Sequence, residues 1–374
     1  MELTSLGVIR RSRKENEWRV PIHPDHFARV PADAADRLIF EEGYGEPFGF
    51  SDDELRDRFG GVVPRSVLLA ECDGVILPKP VPEDLEELHE GGILWGWPHC
   101  VQQAGITRLA VERSLTLLAF EAMYDWNDGV RGSHLFYRNN EMAGYCGVLH
   151  SLSLQGVSGR YGPPLRAVVL SFGYVSRGAI HALKGLGVTD ISVYTQRPPV
   201  AVHHRIGGCR HGQILRGTDG PSLAWMDGVE RPLVEALAEA DIIVNGILQD
   251  TDNPFMYLRE GEEERLKPGA LIVDVSCDLG MAFPFARPTS FEHPTFRVGE
   301  VTYYAVDHTP SYLWRSASWE ISRVVVAYLE RVMRGPDGWQ DDETLRRAVE
   351  IRDGQIVNPK ILRFQSAGGE VGDA

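Results

Sequence analysis

The stretch RAVVLSFGYVSRGAIHALKGLGVTDISVYTQRP, residues 166–198, reads as strand, tight turn, helix and second strand, the frame of a dinucleotide-binding unit. A β-rich apolar run comes first and a helix-period segment follows. The second strand ends about 20 residues past the turn, as the fingerprint requires. In such a turn one glycine permits the bend, one lets the backbone approach a pyrophosphate, and one lets helix and strand pack closely. Here Ser171 stands in the first place while Gly173 and Gly178 remain, with Tyr174 and Val175 opening the helix. Serine tolerates many turn conformations and can itself donate to phosphate, so the site survives the exchange. Taken alone the turn is equally an ordinary glycine-containing βα connection; its strand–helix–strand context favours the nucleotide.

NAD-preferring sites place Asp or Glu against the ribose hydroxyls at the end of the second strand. This chain has Thr195 and Arg197 there instead. A hydroxyl and a guanidinium suit a 2′-phosphate, so NADP(H) is favoured over NAD(H).

With 374 residues the chain exceeds one ordinary core, and two domains are expected. It is 43% hydrophobic and 24% charged, the profile of a globular protein, with no apolar run long enough for a bilayer. Charges interrupt the N-terminal segment MELTSLGVIRRSRKENEWRV where a secretory signal needs an apolar core, so a cytoplasmic protein without a membrane partner is expected. The five cysteines, Cys72, Cys100, Cys146, Cys209 and Cys277, are scattered without metal spacing, which fits reduced thiols and no metal site. A net charge of −15 argues against a nucleic-acid partner but not against anionic substrates in a locally basic cleft.

Along the chain, SLGVIR, RLIFEEG, GVILPK, GILWGWPH and TLLAFEA are strand-like. They alternate with helical stretches, which implies a parallel α/β sheet. NNEMAGYCGVLHSLSLQG has helical spacing and an Asn pair able to cap it. ADIIVNGI and GALIVDVS read as buried parallel strands. SASWEISRVVVAYLERVMRG reads as a long amphipathic helix with serine at its start, packing on the first domain or joining subunits of a homodimer or homotetramer.

Several polar residues need a reason. Lys79 ends GVILPK between two prolines, and His99 ends ILWGWPH in the same way. Singly, each reads as a surface lysine or a satisfied core histidine. Together, at matching strand ends, they could polarise a carbonyl and relay its proton. In RKENEWRVPIHP, Arg19 reads as a carboxylate clamp or, equally, as part of a surface salt-bridge set with Arg13, Lys14, Glu15 and Glu17. Asp274 and Asp278 close another strand, and Asp307 and His308 the next, where ligands of open parallel sheets sit. These carboxylates could steady an amine or a ribose hydroxyl.

With these residues in place the chain resembles the alanine dehydrogenase and lysine-forming saccharopine dehydrogenase superfamily, and within it the N5-(carboxyethyl)ornithine synthase family. The likeness is carried by RKENEWRVPIHP, EEGYGEPFGFSDDEL, the Lys79 and GWPH pair, YRNNEMAGYCGVLHSLSLQG, FGYVSRGA and DHTPSYL, in that order, to about residue 330. The resemblance implies two Rossmann-like domains with parallel sheets and a cleft between them. The nucleotide domain (139–308) would be inserted into a substrate domain (1–138 with 309–374).

It also implies an NADPH-dependent oxidoreductase. A pyruvate-like keto acid would condense with the side-chain amine of an ornithine-like amino acid, and the imine would be reduced. Lys79 and His99 would be the acid/base pair, and Arg19, with Lys14 beside it, would hold the keto-acid carboxylate. Asp278 would lie near the nicotinamide ribose, and Asp307 and His308 near substrate. Trp95, Trp97 and Trp314 would make the cleft unusually aromatic, and His308 stands where relatives carry Asn. Alternatives are an alanine dehydrogenase- or saccharopine dehydrogenase-like activity, or a nucleotide-binding sensor without chemistry.

Overall fold

The computed structural model describes residues 2–215, 222–247, 255–277 and 281–367. The chain divides into two compact units, Met1–Tyr137 with Trp314–Ala374, and Arg138–Leu313.

In the first unit β1 (Leu6–Val8), β2 (Leu38–Glu41), β3 (Gly61–Val63), β4 (Gly74–Leu77), β5 (Ile93–Gly96) and β6 (Thr116–Ala119) run parallel in the spatial order 3-2-1-4-5-6. Every residue of β4, β5 and β6 is buried, which is why these segments read as unbroken apolar runs rather than as alternation. The order reverses between β1 and β4, and ligands of open sheets sit outside the carboxyl ends at such a point. The loop after β1 carries Lys14 and Arg19, Lys79 follows β4, and His99 follows β5.

After β6 the chain makes a hairpin that the strand-and-helix reading passes over, β7 (Tyr124–Asn127) with β8 (Val130–His134). Its turn residues Asp128 and Gly129 have φ of 49° and 78°. Left-handed residues at both positions define the type I′ turn that Asp-Gly favours.

In the second unit α1 (Tyr137–Gln155) precedes β9 (Arg166–Leu170), α2 (Tyr174–Gly185) and β10 (Asp190–Thr195). There follow β11 (Cys209–Leu215), β12 (Leu223–Met226), β13 (Val229–Pro232), β14 (Ile242–Asn245), β15 (Leu271–Asp274), β16 (Thr295–Val298) and β17 (Val301–Tyr304). The spatial order is 13-12-11-10-9-14-15-17-16. The strands from β11 across to β17 are parallel, and β12, β13 and β16 pair antiparallel at the margins. Here the reversal falls between β9 and β14, so the turn after β9 lies at this sheet's ligand edge.

α1 begins at Tyr137, which puts Asn139 and Asn140 inside its first turn rather than at its cap, a correction to the expected start. Two glycines let α1 and α2 cross at backbone distance. A Cβ at Gly144 would stand 1.8 Å from the Val175 carbonyl oxygen, and one at Gly178 would stand 1.7 Å from that of Glu141. Either would force the helices apart.

The chain then returns to the first unit through α3 (Trp314–Met333), which starts ahead of the serines expected to open it. Its Ile321, Val325, Leu329 and Met333 are fully buried in one core with Leu6, Phe40 and Trp95. Each such side chain contributes roughly 2 kcal/mol by leaving water. β18 (Val349–Arg352) adds antiparallel to β6, and β19 (Gln355–Ile356) closes that edge.

Candidate active site

Within the first unit the residues singled out by sequence converge at the carboxyl ends of β4, β5 and β6. Ser12, buried in the loop after β1, donates from its hydroxyl to the Lys79 carbonyl and accepts from the Lys14 N–H at 2.9 Å. Asp84, 1% exposed, holds the same loop by accepting from the Arg13 N–H at 3.3 Å and from Arg65 at 2.6 Å. Lys14 and Lys79 are thereby tied to one anchored strand end.

Arg19 is 3% exposed and Glu17 fully buried, so the surface salt-bridge reading is corrected. The guanidinium is gripped in two-pronged fashion, Nε to Glu17 Oε1 at 2.8 Å and Nη2 to Oε2 at 2.5 Å. It also lies 5.3 Å from the Trp97 ring. Trp97 donates its backbone N–H to the Pro78 carbonyl at 3.0 Å, next to Lys79. The aromatic cleft is corrected too. Trp95 is fully buried with its N–H on the Met123 sulfur at 3.3 Å, and Trp97 packs edge-on against Phe120 and Phe136. Their volume belongs to the core, whereas Trp314 lies half-buried against Phe48.

His99 takes a left-handed backbone, φ 48°, uncommon for a non-glycine residue and a place where functional strain collects. Its N–H donates to Glu121 Oε1 at 2.7 Å, and its Nδ1 lies 3.8 Å from the same oxygen. Burial, then the like charge of Glu350, push the Glu121 carboxyl up to about 8, against the pull of backbone N–H groups and of Lys79. About a quarter of the Glu121 side chain (26%) stays accessible, yet Oε2 is buried without a hydrogen-bond partner among the described residues. His99 thus stands on a carboxyl that accepts or releases a proton near neutrality, and that carboxyl also feels the charge of Lys79. Glu121 was missed in the sequence because an acid one residue after FEA's phenylalanine carries no pattern; its meaning comes from neighbours on other strands.

In the second unit the turn after β9 fits a dinucleotide phosphate. Ser171 adopts φ 88°, the conformation its missing glycine would have supplied, and its hydroxyl accepts from the Gly173 N–H at 3.1 Å. Gly173 caps α2 with no side-chain hydrogen bond, and a Cβ there would meet only the Ser171 hydroxyl, at 3.6 Å. The helix N-terminus therefore offers first-turn N–H groups, that of Val175 among them, to an anion. The packing duties differ from those expected. Ser176, fully buried with its hydroxyl on the Leu170 carbonyl at 3.1 Å, meets the strand, and Gly178 faces α1 instead. At the end of β10, Thr195 is 3% exposed and donates to the Arg197 carbonyl at 2.7 Å, which leaves its oxygen only to accept; Arg197 is exposed.

Asp274 is 1% exposed and accepts from Asn245 at 2.9 Å and from the Tyr303 hydroxyl at 2.7 Å, so it braces the sheet rather than facing a ligand. His308 is 2% exposed with Nδ1 2.6 Å from Asp307 Oδ1, and a quarter of the Asp307 side chain is accessible. A buried His308 can orient Asp307, and only Asp307 of the two reaches solvent to a useful extent. Asp278 lies outside the described residues. Among the described residues no group of His, Cys, Asp and Glu is placed to hold a metal, and no helix is long and apolar enough to cross a membrane.

Two family models match the chain, the alanine dehydrogenase/PNT N-terminal domain over residues 7–141 and the alanine dehydrogenase/PNT C-terminal domain over 150–359. The N(5)-(carboxyethyl)ornithine synthase of Clostridium botulinum (strain Hall) is 26% identical over 322 residues, 82% of this chain and 88% of that one. The alanine dehydrogenase of Mycolicibacterium smegmatis is 22% identical over 367 residues, 94% of each chain. A solved L-alanine dehydrogenase shares the fold with a TM-score of 0.74 over 97% of this chain and 99% of that one, at 20% identity.

Proposed function

The chain belongs to the alanine dehydrogenase/PNT family and is an NAD(P)-dependent oxidoreductase acting on amino-acid C–N bonds; from that premise we propose an NADPH-dependent reductive condensation. A pyruvate-like α-keto acid joins the side-chain amine of an ornithine-like amino acid, and the product is an opine-type secondary amine. The observation that carries this reading is that His99 donates its backbone N–H to Glu121, whose carboxyl is pushed up to about 8 and is pulled back by the charge of Lys79.

Attack of a neutral amine on the keto carbon gives a carbinolamine, which loses water to the imine. The amine must give up a proton before attack, and the departing hydroxyl must gain one. A lysine and a histidine beside a carboxyl that titrates near neutrality can do both, because the site then holds groups able to accept a proton as well as groups able to donate one. Arg19, with Lys14, is the group for the keto-acid carboxylate. The grip of Glu17 fixes its fork and lowers its net charge, so it orients the acid more than it attracts it. Asp307 is the group for the amino acid's cationic end, oriented by His308.

Ser171, Gly173, Tyr174, Val175 and Gly178 would hold the dinucleotide phosphates, Thr195 and Arg197 the adenosine ribose, and Asp278 the nicotinamide ribose. When bound, the reduced nicotinamide supplies the hydride. A second reading, reductive amination by ammonia, is favoured by the length of the match to the Mycolicibacterium alanine dehydrogenase.

The test is NADPH oxidation by purified protein with pyruvate, 2-oxoglutarate or glyoxylate, crossed with ornithine, lysine, other diamino acids and ammonia. Oxidation that needs both a keto acid and an amino acid is the expected result. Oxidation with ammonia alone would move the protein to the second reading.

A further inference from the structure

From residue 191 to residue 218 the sequence has no Asp or Glu, although the chain carries a net charge of −15; it has four arginines and three histidines there. The arginines in this part of the second unit fall into two sets. At the amino ends of β9 and β11, Arg166 and Arg210 pair with Asp190 at 2.9 and 3.0 Å, and Arg166 pairs again with Glu239 at 2.9 Å. Their charge is balanced.

Around the carboxyl end of β10 the second set is held without any carboxylate. Arg177 donates to the carbonyls of His204 and His203 at 3.1 and 3.2 Å, and its guanidinium lies 4.2 Å over the Phe172 ring. Arg205 donates to the carbonyls of Pro199 and of Val202. Arg197 is exposed at the strand end. Among the described residues none of the three has an ion-pair partner. Carbonyls and a ring fix where a guanidinium sits but leave its charge whole, so three cations accumulate where a ribose carboxylate would stand in an NAD site.

His211 reports the same imbalance. Its ring packs edge-on to Phe172 at 5.0 Å, and both nitrogens are buried with no hydrogen-bond partner among the described residues. Burial, then the charges of Arg205 and Arg177, hold its pKa below the ordinary value.

We infer that Arg177, Arg197 and Arg205 form a subsite for a ribose-linked phosphate monoester, which selects the 2′-phosphorylated dinucleotide. The inference rests on the dinucleotide reading above and extends it to residues outside the glycine turn. A dianion here meets charge-assisted donors already held in place, whereas the pyrophosphate common to both dinucleotides is served by the α2 N-terminus.

The test is equilibrium binding of NADPH, NADH, 2′,5′-ADP and 5′-AMP to the full chain and to Arg197→Glu and Arg205→Gln. The expected result is that 2′,5′-ADP binds tighter than 5′-AMP, and that each variant lowers the NADPH-to-NADH affinity ratio about 10- to 100-fold, the worth of one or two charged hydrogen bonds. The His211 imidazole, followed by NMR, should titrate at higher pH with 2′,5′-ADP bound and not with 5′-AMP. Should an exposed-site variant misfold, the wild-type ligand comparison and the His211 titration still decide. Equal affinity for the two dinucleotides with no change in ratio would overturn the subsite while leaving reductive condensation intact. Failure of both dinucleotides to bind would overturn the subsite and the reductive reading together.

Discussion

The backbone N–H of His99 donates to Oε1 of Glu121 at 2.7 Å, so the strand end that presents the imidazole is set by a carboxyl protonated at neutral pH. The folded chain holds this proton up to about 8, while an ordinary glutamate releases it near 4.5. Stability from this group is therefore fully present below the unfolded value and is lost as pH rises through the folded one. Glu121→Gln keeps the acceptor and removes the titration. The variant should match wild type in unfolding free energy from urea at low pH and exceed it by roughly 5 kcal/mol at high pH. An equal difference at both ends would show that the carboxyl does not titrate as described.

Lys79→Met and His99→Gln should each slow turnover by about 10²- to 10⁴-fold, the usual range for general acid–base catalysis, with NADPH affinity little changed. Turnover and dinucleotide binding are measured on the same preparations. Full activity in both variants would remove the acid/base assignment.

Glu17 and Arg19 are buried together, and breaking such a pair from one side leaves an uncompensated charge. Glu17→Gln should cost about 3–5 kcal/mol, whereas replacing both residues by methionine should recover most of that. Chemical denaturation of the two variants decides; a double variant no better than the single one would contradict the pairing.

The α1–α2 crossing can be probed with two glycines of one helix. Gly178→Ala places a methyl 1.7 Å from the Glu141 carbonyl oxygen, while a Cβ on Gly185 meets nothing within 4 Å. The first should destabilise by about 3 kcal/mol and weaken dinucleotide binding. The second should be neutral or stabilise by about 0.5–1 kcal/mol. Thermal unfolding with and without NADPH separates them, and similar effects of the two would be inconsistent with the close crossing.

Ser171 occupies φ 88° without being glycine. Ser171→Gly should therefore raise stability by about 1 kcal/mol, relieving a conformation costly to any residue with a Cβ. The measurement is the midpoint of thermal unfolding without ligand. A fall in midpoint would mean that the hydroxyl on the Gly173 N–H outweighs the strain.

The parallel α/β class, the strands β1, β2, β4, β5, β6, β9, β10, β14 and β15, the βα turn at Ser171–Gly178 and the strand-end places of Lys79 and His99 were legible in the sequence. Each depends on runs of neighbouring residues, whether buried β-branched strands, glycine at a bend or proline beside a strand end, and such runs are local. The hairpin at Asp128–Gly129 carried an equally local signal and was passed over. The α1 start was misjudged because helix propensity does not mark a first turn when two asparagines lie next to aromatic and charged residues.

What only the tertiary structure decided is which distant groups share a dielectric environment. Glu121 and Glu350 stand on segments far apart in the chain, and it is β18 pairing with β6 that makes them neighbours and raises one carboxyl into the neutral range. Arg19 reads equally as a carboxylate clamp or a surface ion until the fold closes over it. Gly178 reads as a strand contact until α1 is laid across it. Sequence determines where a charge or a missing side chain lies along the chain. Burial and partner, which set a proton's affinity and the room for a Cβ, exist only once separate segments pack.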